Sequence, residues 1–349
     1  MLGRLAIILL LCPMVAAAQG FAGLGRDLDG FAEVTPDRKL SFPADHAPHP
    51  DYRIEWWYLT ANLTDANGAD YGVQFTLFRQ AAAPPPQRAG WASQQYWLGH
   101  AALTTAETHL YTEKRARGGV GQAGATAAPF SAWIDDWALA AEPGADGLSK
   151  LRLTAGSDDF SYELTLSATG PLALQGRDGF SVKSDRGQAS YYYSQPHFQA
   201  EGRLRLGEAD VAVSGRAWMD REWSSQPLAA DQKGWDWLSL HLADGRKIMA
   251  FRLRSDQGEP YHSANLIDGE TSTAIGAGDI RFIPLAEADV AGRRVPVAWR
   301  LSIPAHGVEE EVEAINPAAW NGGGIGYWEG PVRGRAPSTA IGYLELTGY

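Results

Sequence analysis

Residues 54–63 read IEWWYLTANL, Asn67-Gly68 follows, and residues 71–79 read YGVQFTLFR. Aromatic and β-branched residues dense on both sides of a turn pair predict a β-hairpin, because branched and flat side chains suit a pleated surface and Asn-Gly suits a tight turn. The pattern returns later as DWLSLHL (236–242), Asp244-Gly245 and KIMAFRLR (247–254). Glu55-Trp56 aligns with Asp236-Trp237, with a leucine three residues after each Trp and a second strand ending in Arg. This weak internal repeat has too long a period for a solenoid and implies two copies of a similar β module.

Further strands are expected at 96–103, 132–139, 151–154, 160–167, 189–193, 198–206 and 211–218. The second module adds 261–267, 280–283, 299–303, 308–314 and 341–346. Gly, Asp and Pro clusters separate them, and no convincing amphipathic helix interrupts them. The 39 Gly and 20 Pro of the 349 residues fit many turns and short strands, since both residues are poor in helix interiors. The expected fold is all-β, with two consecutive lipocalin-like antiparallel β-barrel domains. Closing a meander into a barrel abolishes its edges and encloses a ligand-sized space. Two packed β-sandwiches are the alternative.

The first 18 residues have a short basic start, an apolar run from Leu5 to Leu11 and Ala16-Ala17-Ala18, the pattern of a cleaved secretory signal. The expected organisation is a signal peptide at 1–18, an extended segment at 19–50, one domain at 51–223 and a second at 224–349. Cys12, the only cysteine, falls in the signal, so the mature protein is expected to be disulfide-free and periplasmic or secreted. An uncleaved N-terminal anchor is the alternative. No second apolar run reaches the length of a membrane span. The net charge of −11 argues against a nucleic-acid partner, because phosphate binding needs a basic face.

No GxSxG elbow or HExxH motif occurs, and the glycine-rich stretch at 119–124 lacks a βαβ context. His46 and His49, beside Asp45 and Asp51, lie in a Pro-rich stretch read as a solvated loop; no metal is expected. Two clusters carry chemistry. In 51–58 (DYRIEWWY), one strand presents Glu55 and Trp57 on one side and Trp56 and Tyr58 on the other. In 215–223 (GRAWMDREW), period two places Trp218, Asp220 and Glu222 on one face. Two carboxyls and an aromatic ring on the wall of an apolar lumen keep one carboxyl neutral, which a general acid requires. The competing reading is an ion-pair cluster with Arg216 or Arg221 at the domain junction. Tyr191, Tyr192 and Tyr193, followed by His197, are expected to line the same cavity or to pack as core.

At these motifs the sequence resembles the AttH/CrtC-like family, which includes carotenoid 1,2-hydratase. The matching stretches are HPDYRIEWWYLTANL (49–63), YGVQFTLFR (71–79), GHAAL (99–103), YYYSQP (191–196), AWMDREWSSQ (217–226) and GWDWLSLHL (234–242). The resemblance implies tandem lipocalin-type domains and cofactor-free addition of water to an isolated C=C of an acyclic carotenoid, with Asp220 as proton donor. Trp218, Met219 and Arg221 stand where the true carotenoid hydratases carry a Tyr and His residues, so the resemblance is to the exported branch of the family. Asp220 and Glu222 are the expected catalytic pair. Trp218, Trp223, Glu55, Trp57, Tyr58, Tyr191–Tyr193 and His197 are the expected ligand-binding set, with Glu55 as second-choice acid. The expected ligand is an apolar small molecule: an isoprenoid, carotenoid or lipid. Two other readings stand beside the hydratase: a non-catalytic periplasmic carrier, and a hydrolase using the carboxyl pair.

Overall fold

The computed structural model describes residues 29–349. The expected signal peptide, its Cys12 and the first part of the 19–50 segment lie outside the described residues. The described chain is all-β, built from two antiparallel sheets, one of them nearly closed into a barrel.

The first sheet contains β1 (Ile54–Thr64), β2 (Asp70–Ala81), β3 (Gln95–Thr104), β4 (His109–Arg117), β5 (Ala123–Ala127), β6 (Phe130–Ile134), β7 (Trp137–Ala141), β8 (Lys150–Gly156), β9 (Phe160–Ala168), β10 (Ala173–Leu174), β11 (Phe180–Val182), β12 (Ala189–Leu206) and β13 (Ala209–Gln226). The second contains β14 (Gln232–His241), β15 (Lys247–Ser255), β16 (Tyr261–Asp268), β17 (Thr271–Ile275), β18 (Arg281–Val290), β19 (Arg293–Ile303), β20 (Val308–Ala314), β21 (Trp320–Asn321), β22 (Tyr327–Gly334) and β23 (Ile341–Thr347). The order β4-β3-β2-β1-β13-β12-β9-β8-β7 in the first sheet matches β17-β16-β15-β14-β23-β22-β20-β19-β18 in the second, strand for strand.

The repeat seen in the sequence is therefore one of topology and of register. Glu55 lies opposite Arg79 across β1–β2, and Asp236 lies opposite Arg252 across β14–β15. Both acids are fully buried and ion-paired to those arginines.

Each sheet wraps its own core. Leu59, Phe75, Trp137, Leu164 and Trp223 belong to the first, and Leu238, Trp299, Leu301, Trp328 and Leu344 to the second. A third apolar cluster, including Tyr58, Tyr192, Trp218, Trp237, Phe251 and Tyr343, joins the outer faces of the two sheets. Successive side chains on a strand alternate sides. On β1, β12, β13, β14, β15 and β23, one parity therefore fills a sheet's own core and the other fills the interface. That double burial explains why the Asp236–His241 stretch and the Trp218–Ser225 stretch are buried at every position. Removing each large apolar side chain from water contributes roughly 1.5–3 kcal/mol.

Three sequence expectations need correction. The 132–139 stretch is two strands, because Asp135, at φ 51°, turns the chain so that Ile134 pairs with Trp137. The 189–193 and 198–206 strands are one strand through Pro196, with a register shift between Gln195 and Phe198. The His46/His49 stretch is no solvated loop. A 3₁₀ turn at Ala44–His46 carries it against the first core, where Asp45 and His46 are buried. The His46 Nδ1 meets the Tyr193 hydroxyl at 2.6 Å, and the His49 ring stacks on Trp223 at 3.9 Å. Non-periodic chain fills the irregular end of a barrel as readily as it forms a surface loop, and sequence periodicity does not register it.

Candidate active site between the two sheets

The face that carries Asp220 points away from the first core. Ala217, Met219 and Trp223 face that core, whereas Trp218 belongs to the cluster between the sheets. The lumen expected for Asp220 and Glu222 is thus replaced by a pocket between the sheets' outer faces. The register explains the arrangement: Trp56 lies opposite Glu222 and Tyr58 opposite Asp220 on β1, while Tyr192 lies opposite Glu222 and Ser194 opposite Asp220 on β12. The second sheet closes the pocket with Trp235 and Trp237 from β14, Phe251 and Leu253 from β15, and Glu345 from β23. Phe78 and Leu228 complete its apolar walls, leaving a slot of about 70 Å³.

Asp220 is buried and receives three donors: the Trp218 indole at 2.7 Å and the Ser194 hydroxyl on Oδ1, and the Tyr192 hydroxyl at 2.6 Å on Oδ2. The Trp237 indole in turn donates to the Tyr192 oxygen at 3.0 Å. Burial pushes the Asp220 carboxyl up to about 7. The three donors pull the other way, and the neighbouring Glu222 charge adds to the rise. A carboxylic acid that still holds its proton near neutrality can act as a general acid.

Glu222 accepts the Ser190 hydroxyl and pairs with Lys183, whose ammonium lies 2.9 Å from Oε1 and 4.2 Å from the Phe251 ring centroid. Glu345 accepts the Trp235 indole on Oε1. Burial raises Glu345 to about 7 against the pull of that hydrogen bond, and the charges of Asp220 and Glu222 raise it further. Behind it, Glu329 lies opposite Glu345 across β22–β23 and is pushed well up, by burial first and then by the Glu345 charge.

The expected site residues divide between two places. Asp220, Glu222, Tyr58 and Tyr192 line the pocket, and Trp218, buried behind the lining, donates its indole N–H to Asp220. Glu55, Trp57, Tyr191, Tyr193 and Trp223 lie on the opposite face, inside the first sheet. There Glu55 is clamped by Arg79 and Arg221, the Arg221 guanidinium sits 3.9 Å from the Trp57 ring centroid, and the Tyr191 hydroxyl donates to the Thr35 carbonyl at 2.9 Å. Burial opposes ionisation of Glu55, but the two guanidiniums outweigh it and hold the carboxyl well below its ordinary range. Such a group has no proton to give at neutral pH. His197 is half-buried against Gly170, away from the pocket, and burial lowers it to about 4.

Sequence reasoning missed Glu345, Lys183, Ser190, Ser194 and Trp235. The signal for Glu345 was available in the repeat, since the strand pairing with DWLSLHL corresponds to the strand pairing with IEWWYLTANL. Among the described residues, no group of three or more His, Cys, Asp or Glu could hold a metal ion, and no helix is long and apolar enough to cross a membrane.

Two antiparallel sheets of matching strand order, one of them nearly closed into a barrel, with a buried acid pocket between them define an all-β protein of the lipocalin-like kind. The sequence profile of the AttH-like family matches residues 33–349, and the chain belongs to that family. Among solved structures, a candidate AttH from Nitrosomonas europaea is 33% identical with a TM-score of 0.80, covering 91% of this chain and 99% of its own. Kievitone hydratase from Nectria haematococca shares the fold at 18% identity and a TM-score of 0.66, covering 91% of this chain and 96% of its own. CghA with Sch210972 shares it at 14% identity and a TM-score of 0.51, covering 92% and 97%. A comparison with curated proteins gave no match.

Proposed function

We propose that the protein is an exported, hydratase-like enzyme that adds water, without a cofactor, to an isolated C=C of an apolar isoprenoid-type substrate, with Asp220 as proton donor. The observation that carries this reading is a buried, near-neutral Asp220 carboxyl on the wall of a pocket where Trp56, Phe78, Trp235, Trp237 and Phe251 supply aromatic faces beside Lys183, Glu222 and Glu345. Protonating a trisubstituted alkene leaves a tertiary carbocation, and aromatic faces around it stabilise that charge where water is scarce. Membership of the AttH-like family and the fold shared with kievitone hydratase support the class of reaction. The narrow slot suits the end of an isoprenoid chain rather than a whole polyene.

A carrier of lipids or other hydrophobic ligands is the second reading, favoured by one observation: both Asp220 oxygens already have donors. Incubating the purified protein with a lipid and carotenoid extract, then weighing bound and released species by mass spectrometry, separates the two. The hydratase yields a product heavier by one water, and Asp220→Asn abolishes it. Bound lipid of unchanged mass, retained equally by Asp220→Asn, establishes the carrier instead. The same spectrometer, applied to the exported protein, tests cleavage after Ala18.

A further inference from the structure

We infer that Glu345 is the second proton-handling group of this site, the carboxylate that orients the attacking water and takes its proton. The inference rests on the hydratase reading above and concerns the half of the reaction that Asp220 leaves undone.

Adding water to an alkene needs a proton delivered to one carbon and a proton removed from the incoming oxygen. Three carboxyls line the pocket: Asp220, Glu222 and Glu345. Glu222 is committed elsewhere, because Oε1 takes both the Ser190 hydroxyl and the Lys183 ammonium, and a proton arriving there would break a buried ion pair. Among the described residues no cation pairs with Glu345; the donor seen on it is the Trp235 indole. It also stands on the other wall. Asp220 projects from β13 of the first sheet and Glu345 from β23 of the second, with the aromatic slot between them. A flat cation held in such a slot presents one face to the acid and the other to the base, the arrangement used wherever an acid and a base serve opposite sides of one substrate.

The steps balance. The Asp220 O–H bond breaks as a C–H bond forms, and the π electrons are consumed, leaving the tertiary cation. The water oxygen forms the C–O bond, and one of its protons passes to Glu345. As the alcohol leaves, that proton returns to the Asp220 carboxylate through admitted water, so the net change is alkene plus water to alcohol. The groups facing Glu345 are Asp220 and Glu222 from β13, Lys183, Tyr58 from β1, Trp235 and Trp237 from β14, and Glu329 from β22.

The test uses geraniol, a short probe with a trisubstituted terminal alkene, and lycopene, both in ¹⁸O-labelled water with the full-length mature protein. Glu345→Gln is expected to lower kcat by about 10²–10⁴-fold, with KM within threefold of wild type, and to remove the acid limb of the pH–rate profile. Glu345→Asp, which keeps the carboxyl, is expected to restore part of the rate and the acid limb. Far-UV circular dichroism and a thermal melt check that each variant folds. A Glu345→Gln protein that turns over at the wild-type rate with its acid limb intact, while Asp220→Asn is dead, overturns the role of Glu345 alone. A wild-type protein that labels neither probe overturns the hydratase reading and this inference together. A Glu345→Asp protein as slow as Glu345→Gln, though folded, also counts against a proton-transfer role.

Discussion

Glu222 and Glu345 occupy equivalent positions in the two sheets. Each faces a tryptophan directly across its ladder, Trp56 for Glu222 in β1–β13 and Trp237 for Glu345 in β14–β23. The aromatic partners match as well, since Phe78 lies opposite Trp56 and Phe251 opposite Trp237. The pocket is thus a meeting of two related surfaces that differ in charge: Lys183 neutralises the first glutamate, and among the described residues no cation pairs with the second.

Replacing Lys183 with Met should cost about 3–5 kcal/mol of stability, because it strands the Glu222 carboxylate among apolar groups. The double replacement Lys183→Met/Glu222→Met should recover most of that loss. Urea unfolding of the two single variants and the double variant checks this through the midpoints, with the slope of the transition unchanged.

Asp220→Asn should stabilise the fold in a pH-dependent way. The folded carboxyl sits near 7 against an ordinary value near 4, so the folded state binds more protons than the unfolded state between those limits. Its contribution is fully present below about pH 4 and is lost as the pH rises through 7, by roughly 4 kcal/mol in all. The Asn variant lacks that decline. Denaturation at pH 5 and pH 8 should show the variant gaining on wild type at the higher pH, and an equal difference at both would refute the assignment.

Tyr192→Phe removes one donor from Asp220 and leaves the Trp237 indole unpaired. The lost hydrogen bond had favoured the ionised form, so the Asp220 carboxyl should titrate at higher pH, seen by carbon-13 NMR of labelled aspartate. The orphaned indole should cost about 1–3 kcal/mol of stability.

Glu55 should govern acid unfolding. Its folded carboxyl titrates below the ordinary glutamate value, so the stability it supplies is complete above about pH 4.3 and is lost as the pH falls further. Arg221→Met should weaken that clamp, destabilise the protein by about 3–5 kcal/mol and move acid unfolding to higher pH. The pocket lies on the opposite face, so any ligand binding measured there should stay as in wild type. An acid-unfolding midpoint that does not move would show that Arg79 alone suffices.

The strands and their repeat were legible because period-two patterning and the Asn67-Gly68 turn act locally. The face shared by Trp218, Asp220 and Glu222 was legible for the same reason. Which way that face points was not, since β13 is buried on both sides and alternation carries no sign of inside or outside. Hence alternation alone points to Trp57 where Trp56 lines the pocket, and to all three of Tyr191–Tyr193 where only Tyr192 does. Glu329 escaped because Gly330-Pro331 interrupts β22, and Gly or Pro within a run argues against a strand. Lys183 escaped because it follows a three-residue strand and meets Glu222 only through the fold.

Because the pocket walls are the outer surfaces of two separately cored sheets, neither half of the chain forms the pocket by itself. Glu345 lies on β23, the strand that pairs with β14. The pocket therefore exists only once β23 is paired and the two sheets have docked, so a chain clipped ahead of β23 lacks one of its walls without any dedicated inhibitor. β23 thus serves as a completion check on the pocket.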